Sequence, residues 1–111
     1  MLWVLDAKLP PPLVNRRIIH VDGYCLGEVD LLDLDAGLVG EYDGAHHAGA
    51  AQRSIDHGRR EELQRAGLRV VQHTWADLGP NRALTIARLR RLREEGLRRD
   101  RSRDRWFVER D

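Results

Sequence analysis

RRIIHVDGYCLGEVDLLD, residues 16–33, places two runs rich in β-forming residues on either side of Asp22-Gly23. That dipeptide favours a type I′ turn, so the stretch predicts a β-hairpin. Upstream, LPPPLVN (9–15) cannot be helical, because three prolines remove backbone donors and force extended geometry. It reads as an entry into the first strand. Downstream, a turn at LDAG (34–37) leads into a third strand, LVGEY (38–42), which ends at Asp43-Gly44. The period then changes. AAQRSIDHGRREELQRAG (50–67) carries Ile55, Arg59, Leu63 and Ala66 at helical spacing and stops at Gly67, a residue suited to the position after a helix. LRVVQHT (68–74) is a fourth strand, and its separation from the third by a helix implies a parallel crossover. Pro80 marks the start of a second helix, in which Leu84, Ile86, Leu89, Leu92 and Leu97 form a broad apolar arc. The expected architecture is an α/β (α+β) domain, with a small mixed four-stranded sheet in the order β-β-β-α-β-α and flanking helices. The domain spans residues 1–98, and residues 99–111 form an Arg-rich C-terminal tail that reads as frayed, with Trp106-Phe107-Val108 able to dock on the core or on a partner.

The bulk properties agree with one such domain. A chain of 111 residues, 41% hydrophobic and 33% charged, buries one core and is far from a disordered composition. It has no apolar run long enough for a membrane span and no signal-peptide pattern at its start, so a cytoplasmic location is expected. The single Cys25 excludes disulfide staples and thiolate metal sites. The net charge of +1 conceals two lobes. Between Ile18 and Gln52 there are seven acids and no Lys or Arg, whereas Arg82 to Arg105 holds ten Arg against four acids. An acidic patch beside a basic arm suggests a metal site next to a surface that binds a polyanion.

The acids are placed to meet. Strand side chains alternate, so Glu41 and Asp43 share a face of the third strand, while Asp30 interrupts the apolar run VDLL with Val29 and Leu31 on the opposite face. A short connection between the second and third strands would bring Asp30 across from Glu41. Hard oxygen donors at this density suit Mg²⁺ or Mn²⁺, and the Asp43-Gly44 turn returns His46 and His47 toward the same end of the sheet. Metal-assisted hydrolysis is the chemistry such a group supports. Asp33 and Asp35 read as solvated turn residues, His20, His57 and His73 as surface or strand-face residues, and Asp56 with Arg59 as an intrahelical ion pair.

GEVDLLDLDAGLVGEYDGAHH (27–47), followed by QRSIDHGRREELQRAGLRVVQHTWADL (52–78), resembles the nuclease-like domains of actinobacterial proteins in the very-short-patch-repair-like group, within the restriction-endonuclease-like PD-(D/E)xK superfamily. The resemblance covers roughly residues 9 to 92 and rests on a combination: an Asp in an apolar strand, Glu-x-Asp-Gly with a His four residues past the Asp, and a helix with an Asp-x-x-Arg pair. It implies that Asp30 and Glu41 hold Mg²⁺ (or Mn²⁺), with the Tyr42 carbonyl beside them. The position two past the Glu, usually a Lys, is Asp43 here, and the only lysine of the chain is Lys8. Asp43 and His47 complete the catalytic set that the resemblance implies, with His47 accepting the water's proton or steadying the phosphate. DNA is the expected partner, held by Arg53, Arg59 and Arg60 and by the Arg-rich last helix, including Arg90 and Arg93. The expected function is a metal-dependent DNA endonuclease of repair or defence. A catalytically inactive nucleic-acid-binding module and a protein-interaction domain of a toxin–antitoxin or defence cassette are the alternatives. A homodimer would let so small a domain span both strands of a duplex. Neither a membrane nor a small-molecule cofactor is expected.

Overall fold

The computed structural model describes the backbone of residues 3–4, 7–42, 50–74, 77 and 79–110, and the side chains of these except 50–57. Strands β1 (Leu13–His20), β2 (Cys25–Asp33) and β3 (Leu38–Tyr42) are followed by helix α1 (Ala50–Arg65), β4 (Arg69–His73), α2 (Arg82–Leu97), a 3₁₀ turn at Arg101–Arg103 and β5 (Trp106–Val108). The sheet order is β4-β3-β2-β1-β5, with β3 and β4 parallel and the other pairs antiparallel. The fold is therefore mixed α+β. Among the described residues, no helix is long and apolar enough to cross a membrane.

The sheet has five strands, not four. Trp106–Val108 pairs with β1 through Ile18–Val108, Ile19–Phe107 and His20–Trp106, and buries Trp106. The segment expected as a frayed arm is bound at several points. Arg105 N–H donates to the Ala66 carbonyl at 2.8 Å, and the Arg99 guanidinium donates to both carboxylate oxygens of Asp104 and to the Asp35 carbonyl. Arg99 thereby ties the C-terminus of α2 to the turn between β2 and β3.

The β1–β2 hairpin forms, with a different turn. Gly23 N–H donates to the His20 carbonyl at 2.8 Å, and Gly23, at φ 104°, is the one residue of the turn in positive φ. A type I′ turn needs positive φ at both central residues, so Asp22 and Gly23 do not form one. Farther along, Asn15 has φ 52° between the pairs Val14–Leu31 and Arg16–Val29. Val29 and Leu31, expected on one face, pack into different clusters on either side of this irregular point.

Two clusters fill the interior. Trp3, Ala7, Leu9, Leu31, Ala36, Leu38, Val71 and Leu89 form one, under α2. Ile18, Leu26, Val29, Leu32, Val39, Leu63, Ala66, Leu68 and Trp106 form the other, under α1. Helix α1 ends as the sequence implies. Gly67 has φ 110°, its N–H donates to the Gln64 carbonyl, and Leu68 N–H donates to the Leu63 carbonyl, a Schellman motif closed by two buried leucines. Helix α2 buries a narrower stripe than expected: Thr85, Leu89 and Gly96, with Ile86 and Leu92 half-buried, while Leu84 is 73% exposed. At its C-terminal end the helix lies close to the β2–β3 turn. A Cβ on Gly96 would strike the backbone carbonyl of Ala36.

Candidate functional site

The β2–β3 ladder runs from Asp33–Leu38 to Leu31–Gly40, and continuing its register by one residue sets Asp30 opposite Glu41. The strands are held there by a side chain: Tyr42 N–H donates to Asp30 Oδ2 at 2.9 Å. A carboxylate accepting a backbone N–H is fixed in orientation more firmly than a neutral acceptor would be. On its other side, β3 runs parallel to β4, which places Gln72 beside Glu41 and His73 beside Tyr42.

Helix α1 supplies cations to this group. Arg59 Nη2 donates to Glu41 Oε1 at 2.5 Å and to the Glu28 carbonyl at 2.5 Å, while Arg60 Nη2 donates to Gln72 Oε1 at 2.9 Å. The Arg59 side chain lies along Gly27, where an added Cβ would come within 2.5 Å of Nε. Glycine is favoured at position 27 by its φ of 132°, and its missing Cβ leaves room for the Arg59 side chain. Among the described residues, the Nε atoms of Arg59 and Arg60 are buried without a hydrogen-bond partner.

Asp30 and Glu41 are brought together, with Arg59 and Arg60 above them. Arg93 and Arg90 are engaged elsewhere: Arg93 Nε donates to Asp33 Oδ2 at 2.8 Å, and Arg90 Nε to the Ala7 carbonyl at 3.0 Å. Asp33, expected in a solvated turn, is only 7% exposed and also accepts the Ala36 N–H. Asp43, His46 and His47 lie outside the described residues, as do the side chains of Arg53 and Asp56. Among the described residues, no three His, Cys, Asp or Glu side chains are grouped to hold a metal ion. Asp30 and Glu41 nevertheless offer hard oxygen donors from adjacent strands, a chemistry that fits Mg²⁺ or Mn²⁺. One of those oxygens, Glu41 Oε1, already carries the Arg59 guanidinium.

A second polar group was not legible in the sequence. His73, expected on the surface or on a strand face, lies on a buried face of β4, and its Nε2 accepts from Trp3 Nε1 at 2.8 Å. Its Nδ1 lies 3.8 Å from Asp77 Oδ2, and Asp77 also accepts from the Thr85 hydroxyl and the Thr74 N–H. Burial, the largest influence, lowers the His73 pKa below the ordinary imidazole value, and Arg88 pushes the same way against Asp77. The alternation of Val71 and His73 in β4 was the available signal, since it puts His73 on the face of a core residue.

Comparison with protein-family models, with curated proteins and with solved structures finds no match.

Proposed function

We propose that the chain is a restriction-endonuclease-like DNA nuclease domain of the cytoplasm, acting in repair or defence, with Mg²⁺ or Mn²⁺ held by Asp30 and Glu41. The observation that carries this reading is the register that opposes Asp30 and Glu41 at the end of the β2–β3 ladder, with the Asp30 carboxylate fixed by Tyr42 N–H. A divalent cation there would offset charge on the scissile phosphate and lower the pKa of an attacking water. Asp43 and His47 follow Glu41 by two and six positions, which supports their roles in handling that water and its proton. Arg53, Arg59 and Arg60 on α1 support the DNA-binding role, and so does the exposed arginine surface of α2, of which Arg88 and Arg91 are part.

The hydrogen bond from Arg59 to Glu41 favours a second reading, a binding module in which a guanidinium has replaced the metal. Supercoiled plasmid incubated in Mn²⁺, beside EDTA and the Asp30→Ala/Glu41→Ala variant, separates the two. Nicking by the wild type that both controls abolish is expected for the nuclease. Equal inertness of wild type and variant, with DNA binding retained, would leave the binding module.

A further inference from the structure

Arg59 occupies an unusual seat. Its Nη2 bridges Glu41 Oε1 and the Glu28 carbonyl, its stem rests against a glycine whose backbone alone makes room for it, and its Nε–H is buried with no acceptor. The bridge sets a guanidinium on Glu41 where that carboxylate faces Asp30 across the strand pair. The orphaned Nε–H makes the same seat costly to keep, because a buried donor without an acceptor loses its hydration and regains nothing. Arg59 is about one-third exposed at its side chain, so the guanidinium has a way out to solvent. A guanidinium held through one nitrogen, with a buried donor left over and a side open to solvent, is suited to exchange partners.

We propose that Arg59 is the resident counter-ion of Glu41, and that a DNA phosphate draws it out of this seat as a divalent cation takes its place on the carboxylate. The inference rests on the nuclease reading above and adds its regulation. Metal and DNA then bind with positive coupling, each raising the affinity for the other by the same factor. Without DNA, the arginine competes with the cation. With DNA, the arginine gains a bidentate partner that no longer involves Glu41.

Two measurements test it. Free Mn²⁺ is followed by electron paramagnetic resonance in titrations of wild type, Arg59→Gln, Arg59→Lys and Arg59→Gln/Glu41→Gln, with circular dichroism confirming that each is folded. Arg59→Gln is expected to bind Mn²⁺ at least about tenfold more tightly than wild type, since it removes a cation next to the ligand. Arg59→Lys, which keeps the charge, should stay near wild type, and adding Glu41→Gln should erase the gain. Anisotropy of a labelled duplex at fixed ionic strength, with Ca²⁺ or with EDTA, then reads the coupling. Ca²⁺ should tighten DNA binding by wild type and do so markedly less for Arg59→Gln.

Unchanged Mn²⁺ affinity in Arg59→Gln, or the same Ca²⁺ effect on DNA binding in both proteins, overturns the proposal. Wild type that nicks plasmid while giving either result keeps the nuclease reading and loses only the exchange. Folded variants that bind no Mn²⁺ at all, beside a wild type that does not nick, overturn both.

Discussion

Trp3 Nε1 donates to His73 Nε2 at 2.8 Å across 70 positions of chain, and this bond fixes the imidazole as the neutral tautomer with its proton on Nδ1, toward Asp77. Protonating Nε2 would set two donors against each other, so the folded chain resists charging His73. Its pKa in the folded state lies below the ordinary 6.5. Between that lowered value and 6.5 the unfolded chain binds more protons, so stability is complete above this window and declines as pH falls through it. The melting temperature should fall from pH 7.5 to pH 5 more steeply in wild type than in His73→Gln, in which the amide oxygen can accept the Trp3 N–H. Equal slopes in the two proteins would refute the assignment.

Gly96 and Gly58 should respond to alanine in opposite directions, although both lie inside helices. A Cβ at position 96 meets the Ala36 carbonyl, whereas one at position 58 meets nothing within 4 Å. Gly96→Ala should cost about 2 kcal/mol net, overpacking outweighing the gain in helix propensity. Gly58→Ala should gain about 0.5–1 kcal/mol. Urea unfolding midpoints read both, and a stabilising Gly96→Ala would contradict the close approach.

Asp33→Ala removes the acceptor of both the Arg93 guanidinium and the Ala36 N–H. Leaving one charge of a buried pair unmatched should cost about 3 kcal/mol. The double variant Asp33→Ala/Arg93→Leu should recover part of that loss in chemical denaturation. Strict additivity of the two single changes would show that the pair contributes nothing as a pair.

A chain ending at Asp100 lacks β5 and the Asp104 partner of Arg99. It should lose cooperative unfolding and bind a hydrophobic dye, because Ile18 and its neighbours lose the cover of Trp106. A sharp transition near the full-length midpoint would mean that the last strand is dispensable.

The sequence carried the parts of the fold that depend on local chemistry. Asp22-Gly23, the proline run and Gly67 each impose a backbone geometry on their neighbours, and the hairpin, the third strand, α1 and the parallel β4 all lie where those residues set them. Parts that depend on distant partners were not legible. Asp33 looks solvated until Arg93, 60 positions away, covers it, and His73 looks like a surface or strand-face residue, its burial showing only once Trp3 is seen against it. Of β5, the apolar Trp106-Phe107-Val108 showed that the segment could dock, but three residues amid arginines and acids are too few for a strand period to show. At the site, the opposition of Asp30 and Glu41 followed from a short connection and strand alternation. The hold of Arg59 on Glu41 did not, because helical spacing alone cannot tell a helix residue's own neighbours from the strand beneath it.

The pairing of β5 with β1 also orders events in the cell. β1 leaves the ribosome well before β5 and finds its outer neighbour only when Val108 has cleared the exit tunnel, so its outer edge stays open while the intervening chain is made. Closure of that edge is thus among the last steps of the domain's folding, and chaperones that shield unpaired strands have access to β1 until Val108 is free to pair.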